Sequence, residues 1–319
     1  MSEFSVDKLE PEKDREQFYS FWDKASETGE AGAGHLAYEQ DWYDVYGLEN
    51  SDGLQGIGAV HTGPVKGLSH AFILPSERGK TQEGKSLFRY LVQQRIEAVN
   101  DDNFGFKTDA TTRHPMTQHV FETEEFGITG YEPSANDFMP SYIQFKNPGS
   151  ESVKPEKITV PKGAEDLINN VYADGAPTGV SGETLGYDLG FSHICSEDNP
   201  GEVAYFNFKD GEKELEEVLE PLRELYNEGY RNMQAMIDLE DPGSERFVEQ
   251  LISEGFVPTG IEDPFYPIKG TEIALSRLEQ PDEDVYVTEN SLEFIGDIGL
   301  DYDIKAEDRS YKIDVLPTI

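Results

Sequence analysis

Residues 79 to 86 read Gly-Lys-Thr-Gln-Glu-Gly-Lys-Ser, a full match to the G-x-x-x-x-G-K-[ST] pattern. In that pattern backbone amides cradle nucleotide phosphates and a lysine reaches the outer ones. The local charge is also unusual. Arg78, Lys80, Lys85, Arg89 and Arg95 stand against one acid, Glu83, in a chain of 64 acidic and 26 basic side chains. A basic island at the start of a helix has what anion binding needs: amide donors, the helix dipole and neutralising side chains. The plainer alternative is a solvated turn ahead of an amphipathic helix. A nucleotide hydrolase would also need an apolar strand ending in an acid that holds magnesium. The next strand signal, "FGFKTDATT", is polar, and the better match, "QAMIDLED" with Asp238, lies about 150 residues further on. Lys80, Gln82 and Glu83 are also bulky where a phosphate cradle uses small residues.

The elements that must position this loop follow from periodicity and turn residues. A strand "FSVDKL", a helix from Pro11 to about Ala25 and a Gly-rich crossing precede strands at "WYDVYGL", "LQGIGAVHT" and "GLSHAFIL". Leu87, Phe88, Leu91, Val92, Ile96 and Val99 then recur at three and four, predicting a helix from about Gly84 to Val99. A strand "FGFKTDATT", a short helix from Pro115 and a strand pair through "YIQF" follow. A Pro, Gly and Ser-rich boundary at 144–157 comes next. After it the pattern restarts with "KITV", a helix "AEDLINNVY", strands "YDLGFSHI" and "VAYFNF", and a helix "EKELEEVLEPLRELYNEG" that Pro221 is expected to bend. A strand "NMQAMIDL" and a helix from Pro242 complete it. His114-Pro115 aligns with Asp241-Pro242, Thr117 with Ser244, and Thr129-Gly130 with Thr259-Gly260. That order predicts a tandem repeat.

Taken from Leu74, the loop spells Leu-Pro-Ser-Glu-Arg-Gly-Lys before a helix, and it resembles the acyl-CoA loop of the GNAT superfamily of N-acetyltransferases. "AFILPSERGKTQEGKSLFRYLVQQRI" is similar to that family's fourth strand, loop and following helix. "TTRHPMTQHVFETEEFGITGYEP" resembles the strand and helix after them. The resemblance implies an α+β, mixed α/β three-layer fold in two tandem copies, the second degenerate. Residues 1–148 would be the acyl-CoA-binding domain, 156–278 the degenerate copy and 279–319 a β-rich extension.

The same resemblance implies acetyl-CoA or another acyl-CoA as cofactor. Its pyrophosphate would meet Arg78, Gly79, Lys80, Gln82, Gly84, Lys85 and Ser86. Its thioester would run along Phe72, Ile73 and Leu74, with Thr111 and His114 at the rim. The acceptor would be a small-molecule or peptide amine. His70 is the candidate base, since imidazole titrates near neutrality; the plainer alternative is a histidine that faces solvent or packs. The sequence also departs from the family. Counted back from Leu87, Gln82 stands where a glycine is usual and Arg78 falls one residue early, so the loop is longer. The tyrosine that protonates the leaving thiolate in many members is Phe121 here, with Val248 at the matching place of the second copy. A catalytically silent CoA-binding or sensing protein and a P-loop hydrolase are the alternatives.

Composition bounds these readings. A length of 319 residues suits two domains, and 36% hydrophobic residues with 18 Phe and 16 Tyr mark a folding chain. The net charge of -38, spread along the whole length, points to a halophile protein, whose repulsion a salt-rich cytoplasm screens, and the resemblance above is to the halophilic archaeal type. Nucleic acid and anionic membrane would be repelled. No apolar run approaches the roughly 18 residues of a membrane span, and the charged N-terminus lacks an export signal core, so a cytoplasmic location is expected. The single cysteine, Cys195, lies in an apolar run and reads as a core residue. The six histidines lack metal-ligand spacing, so no metal is expected.

Overall fold

The computed structural model describes residues 3–27, 38, 40–62, 66–99, 106–133, 141–146, 157–172, 187–196, 199–210, 215–228, 232–262, 271–278, 282–307 and 310–316. The expected domain boundary falls largely outside them, as do the side chains around Cys195. The described residues form two compact units. One lies within Met1–Asp109 and Thr123–Glu125, the other within Ala110–Glu122, Phe126–Lys146 and Val153–Ile319.

In the first unit, β1 (Ser5–Lys8), β2 (Tyr43–Asn50), β3 (Gly53–His61) and β4 (Lys66–Ile73) pair antiparallel in that order. Helix α1 (Arg15–Ser26) carries Phe18, Phe21, Trp22 and Ala25 at helical spacing. That stripe packs on Val45, Leu54, Ile57, Ala59 and Leu74, and Phe18 stacks on Tyr38 at 3.9 Å. Two short strands, β5 (Thr81–Gln82) and β6 (Lys85–Ser86), lead into α2 (Leu87–Val99). β4 then runs parallel to the start of β7 (Phe106–Thr111), pairing Lys66 to Leu68 with Phe106 to Thr108. The predicted helix thus starts three residues later than Gly84, because the residues before Leu87 are hydrogen-bonded as a hairpin.

The second unit contains α3 (Met116–Glu122 of a helix ending at Thr123), β8 (Gly127–Glu132) and β9 (Tyr142–Lys146). "KITV" shrinks to a single bridge residue, Ile158; Thr159 instead donates its N–H to Leu239 O at 2.8 Å and shares a hydroxyl bond with Ser244. Helix α4 (Glu165–Val171), β10 (Tyr187–Ser196), β11 (Asn199–Asp210) and α5 (Leu215–Glu228) follow. Pro221 lies within α5, which continues past it. β12 (Asn232–Asp238), α6 (Ser244–Ser253), β13 (Val257–Glu262) and β14 (Glu272–Leu278) complete this part. The sheet order is β9-β8-β13-β14-β12-β11-β10. The mixed α/β class expected from sequence is observed, and so is the expected order of strand, helix, three strands, helix, strand, helix and strands.

Two local features organise the second unit. β8 slips register against β9 between Ile128 and Gly130, and β13 slips against β14 between Pro258 and Gly260. Each slip leaves a buried threonine, Thr129 or Thr259, as the extra residue. The glycines that follow face each other across the sheet. A Cβ on Gly130 would lie 2.9 Å from the Gly260 Cα, so only glycine permits this approach.

The second feature ties in the C-terminal residues, where β15 (Asp282–Val287), β17 (Ser310–Val315) and β16 (Tyr302–Glu307) form a separate sheet. Sequence periodicity missed α7 (Glu289–Asp297), whose N-terminus is capped by the Thr288 hydroxyl accepting from Ser291 N–H. The fully buried Gln118 donates to Tyr286 O at 2.8 Å and accepts from Thr288 N–H at 3.2 Å. One amide thus serves a part-buried acceptor and a buried donor. Gln118→Ala strands both, and is expected to cost about 1–3 kcal/mol for each group left unsatisfied. Urea denaturation at high salt reads this as a lower midpoint; an unchanged midpoint would show that water replaces the amide.

Candidate functional site

The site begins where β4 stops being an ordinary strand. Ile57 pairs with Phe72 and Ala59 with Ser69, so His70 and Ala71 both stand opposite Gly58. This is a β-bulge, and His70 adopts φ +49°, a left-handed backbone that costs energy in any residue but glycine. The bulge comes directly after the end of the ladder with β7: Thr108 Oγ1 donates to Leu68 O at 2.7 Å, and no β4 residue beyond Leu68 pairs with β7.

His70 is exposed, yet its ring lies edge-on to Tyr43 at 5.5 Å. Tyr43 meets the ring of the buried His61 in the same way at 5.3 Å. Although the residue keeps contact with solvent, partial desolvation by the protein packed around its ring first, and the Arg95 guanidinium second, push the His70 pKa below its ordinary value. Burial and Lys66 do the same to His61. Both imidazoles are therefore neutral at pH 7, the form in which a histidine accepts a proton.

Phe72, Ile73 and Leu74 end the strand. Phe72 packs against Phe21 at 6.3 Å, Ile73 and Leu74 are buried, and Leu74 N–H donates to Gln55 O. A single 3₁₀ turn, Pro75–Glu77, follows. Arg78 lies 5.6 Å from the Phe72 ring centroid and donates Nε–H to Ile73 O. Gly79 has φ +85°. Thr81 pairs with Ser86 and Gln82 with Lys85 across a tight turn at Glu83 and Gly84, where φ is +53° and +79°. Positive φ at both central residues is the signature of the two-residue hairpin turn, and Gly84 supplies it without strain.

This hairpin uses several of the loop's amides. Arg78 N–H donates to Pro75 O, Lys80 N–H to Glu77 O and Leu87 N–H to Lys80 O. Ser86 Oγ caps α2 by accepting from Arg89 N–H at 3.3 Å. Gln82, which stands where the family has a glycine, accepts from Phe4 N–H through Oε1 at 3.3 Å. Lys85 and Ser86 thus belong to a strand and do not lie in a wrapped phosphate loop, and this geometry departs from a nucleotide cradle.

The basic island is also less available than its composition implies. Lys80 Nζ contacts both oxygens of the buried Glu77 at 2.7 and 2.8 Å. Arg89 pairs with Glu124, which also accepts from Gln93. Arg95 is fully buried. Lys85, half-buried at the foot of α2, carries no ion pair among the described residues. The first unit therefore brings together Phe72 to Leu74 and the loop residues Arg78, Gly79, Lys80, Gln82, Gly84, Lys85 and Ser86. Thr111 and His114 fall in the second unit, where Thr111 accepts from Arg113 N–H through its hydroxyl and from Gln118 through its carbonyl. Phe121 is buried against Phe126 and Phe145, with no group that can donate a proton.

Sequence reasoning missed Glu77 and the role of Arg95. Only the three-residue spacing to Lys80 hinted at the first. The second had a clearer signal: Arg95 follows Leu91 by four and Val92 by three, so it sits on the apolar stripe of its helix. Among the described residues no group of His, Cys, Asp or Glu could hold a metal ion, and no helix is long and apolar enough to cross a membrane.

No model of a known protein family matches the sequence, and no curated protein matches it. Solved structures do match. An N-acetyltransferase from Staphylococcus aureus Mu50 is 12% identical, with 45% of this chain covering 96% of that one at a TM-score of 0.37. An acetyltransferase of the GNAT family from Streptococcus pneumoniae is 14% identical, with 46% of this chain on 99% of that one and a TM-score of 0.36. The ribosomal-protein-S18-alanine N-acetyltransferase from Escherichia coli is 16% identical, with 46% on 94% and a TM-score of 0.36. At that level no residue role passes from them to this chain.

The lowered histidine pKa values have a consequence for stability. Between the folded pKa and about 6.5 the unfolded chain binds more protons than the folded one, so stability is full above that window and falls as pH drops through it. His70→Gln is expected to lose less stability than wild type between about pH 7 and pH 5. Denaturation midpoints at several pH values measure it, and parallel curves for the two proteins would contradict the shift.

Proposed function

We propose that the first unit binds an acyl-CoA and passes its acyl group to an amine, in a protein of salt-rich cytoplasm. The observation that carries this reading is the β4 bulge at His70 and Ala71. It lies just beyond the end of the β7 ladder and one loop ahead of a helix headed by Lys85 and Ser86. The sequence resemblance of residues 71 to 96 and the order of elements support it.

The residues present fit such a ligand. Lys85, the α2 N-terminus and Gly84 offer charge and close backbone approach for its phosphates. Phe72, Ile73 and Leu74 offer strand backbone for the thioester arm, and a thioester supplies the activated acyl carbonyl. His70, neutral at pH 7, is the candidate acceptor of the amine's proton. The acceptor on this reading is a small-molecule or peptide amine, and an acidic surface does not disfavour a cation.

The second unit's β11, β12, α6, β13 and β14 repeat the parallel pair, helix and antiparallel pair of β4, β7, α3, β8 and β9. We read them as a degenerate copy. Its α5 opens with Glu216 and Glu217 in the first turn, where phosphate would be repelled, whereas α2 has no acid there. The buried Phe121 favours a second reading, a CoA-binding protein without turnover, because it removes the usual proton donor.

Calorimetric titration at high potassium chloride with acetyl-CoA, CoA and ATP-magnesium tests the proposal. Acetyl-CoA is expected to bind wild type and to bind Lys85→Ala roughly tenfold or more weakly, from the loss of one charged hydrogen bond worth about 1.5–3 kcal/mol. ATP is expected to give no response. Tight ATP binding, or indifference to the Lys85 change, would overturn the reading; binding without turnover across an amine panel would favour the silent form.

A further inference from the structure

Arg95 is the largest fully buried side chain among the described residues, and its surroundings are unusual for a cation. Among the described residues it meets no carboxylate. Its Nη1 donates to Ala59 O at 3.0 Å and to Ser69 O at 3.2 Å, while its Nε finds no acceptor. Burial pulls its pKa down to about 10, which still leaves it charged at neutral pH. A buried, half-satisfied cation is destabilising, and a leucine or methionine on the same stripe would pack without that cost. What the guanidinium touches indicates why it is there. Ala59 and Ser69 are the last regular pair before the bulge. The guanidinium also lies over Gly58, the residue opposite the bulge, where a Cβ would come within 2.6 to 2.8 Å of it.

These positions define a direction. Nη1 lies over β3, so Ser69 O, bonded to it, faces β3. In a trans peptide the N–H points opposite to the carbonyl. The His70 N–H therefore faces the other edge of β4, the edge that has just left β7. We propose that Arg95 is a positioning residue: by holding Ser69 O and Ala59 O it sets the Ser69–His70 peptide so that the His70 N–H is presented at the open edge of β4 as a donor to an acyl carbonyl. The use of that donor rests on the acyl-transfer reading above; the setting of the peptide does not. Gly58 is part of the same device, since only glycine leaves room for the guanidinium.

The test uses the full chain at high salt, labelled with ¹⁵N-histidine, as wild type, Arg95→Met, Arg95→Lys and Gly58→Ala. The last displaces the flexible end of Arg95 without removing its charge, so it keeps the question open to measurement if Arg95→Met fails to fold. His70 is assigned by its absence in His70→Gln. The His70 amide resonance is expected to move in Arg95→Met and Gly58→Ala and to return part of the way in Arg95→Lys, which a loss of packing alone would not produce. An unmoved resonance in folded variants overturns the proposal.

Infrared spectra with carbonyl-¹³C acetyl-CoA then read the donor itself. The bound carbonyl stretch is expected below the free value in wild type and near it in Arg95→Met, with affinity changed by less than about threefold, as for a donor that matters mainly to the transition state. Acetyl-CoA that binds with the same stretch in every variant overturns the donor while leaving the function reading intact. Acetyl-CoA that does not bind wild type ends the function reading and with it the donor, and the amide resonance then decides the peptide's orientation alone.

Discussion

A guanidinium closed off from water between β3, β4 and α2 is the interaction on which the first unit's candidate site depends. A charge in such a place must be solvated by something, and here two strand carbonyls do it. Those carbonyls belong to the residues where β3 and β4 lose their regular register. The bulge, the left-handed His70 and the glycine opposite it are therefore parts of one arrangement. The imidazole kept neutral on the bulge belongs to it too: desolvation of the ring does most to disfavour its protonated form, and the same cation adds to that cost.

Charge in the loop follows a different logic. In a chain of net charge -38, a run with five bases and one acid looks like a binding site on composition alone. Folding commits most of those bases to internal partners: Glu77 takes Lys80, Glu124 takes Arg89 and the sheet takes Arg95. Lys85 is left at the foot of α2. Carboxylates that hold the loop's shape thus also limit how much charge it can offer to an anion.

The second unit rests on close approach more than on charge. Gly130 and Gly260 let β8 and β13 meet, and each strand accommodates a bulged, buried threonine just before its glycine. Gln118 pairs with backbone groups on either side of Val287, Tyr286 O and Thr288 N–H, which ties the C-terminal sheet to α3. In both places a polar or conformational demand is met by the one residue type that fits: glycine for contact of backbones, an amide for a donor and an acceptor together.

Much of the fold was legible in the chain. Alternation and three-four spacing located α1, α2 and β2 to β4, because each of these signals is local and its periodicity survives whatever it packs against; the order shared by the two halves marked the paired Thr-Gly positions, though not as bulges within strands. The residues of the loop were legible as a motif for the same reason. The hairpin inside the loop was not, since the same Gly-Lys-rich stretch suits a cradle or a hairpin, and the hydrogen bonds that Leu87 N–H donates to Lys80 O and that Gln82 accepts from Phe4 N–H help decide between them. Nor was the fate of each base legible: Glu124 is 35 residues from Arg89, and no local pattern pairs them. Local pattern in the chain was enough for the class of fold, the order of the main elements as far as β9 and the place of the loop between β4 and α2. Which cation is buried, which is paired and which carbonyls turn inward were settled only in the folded molecule, because those depend on contacts between segments far apart in the chain.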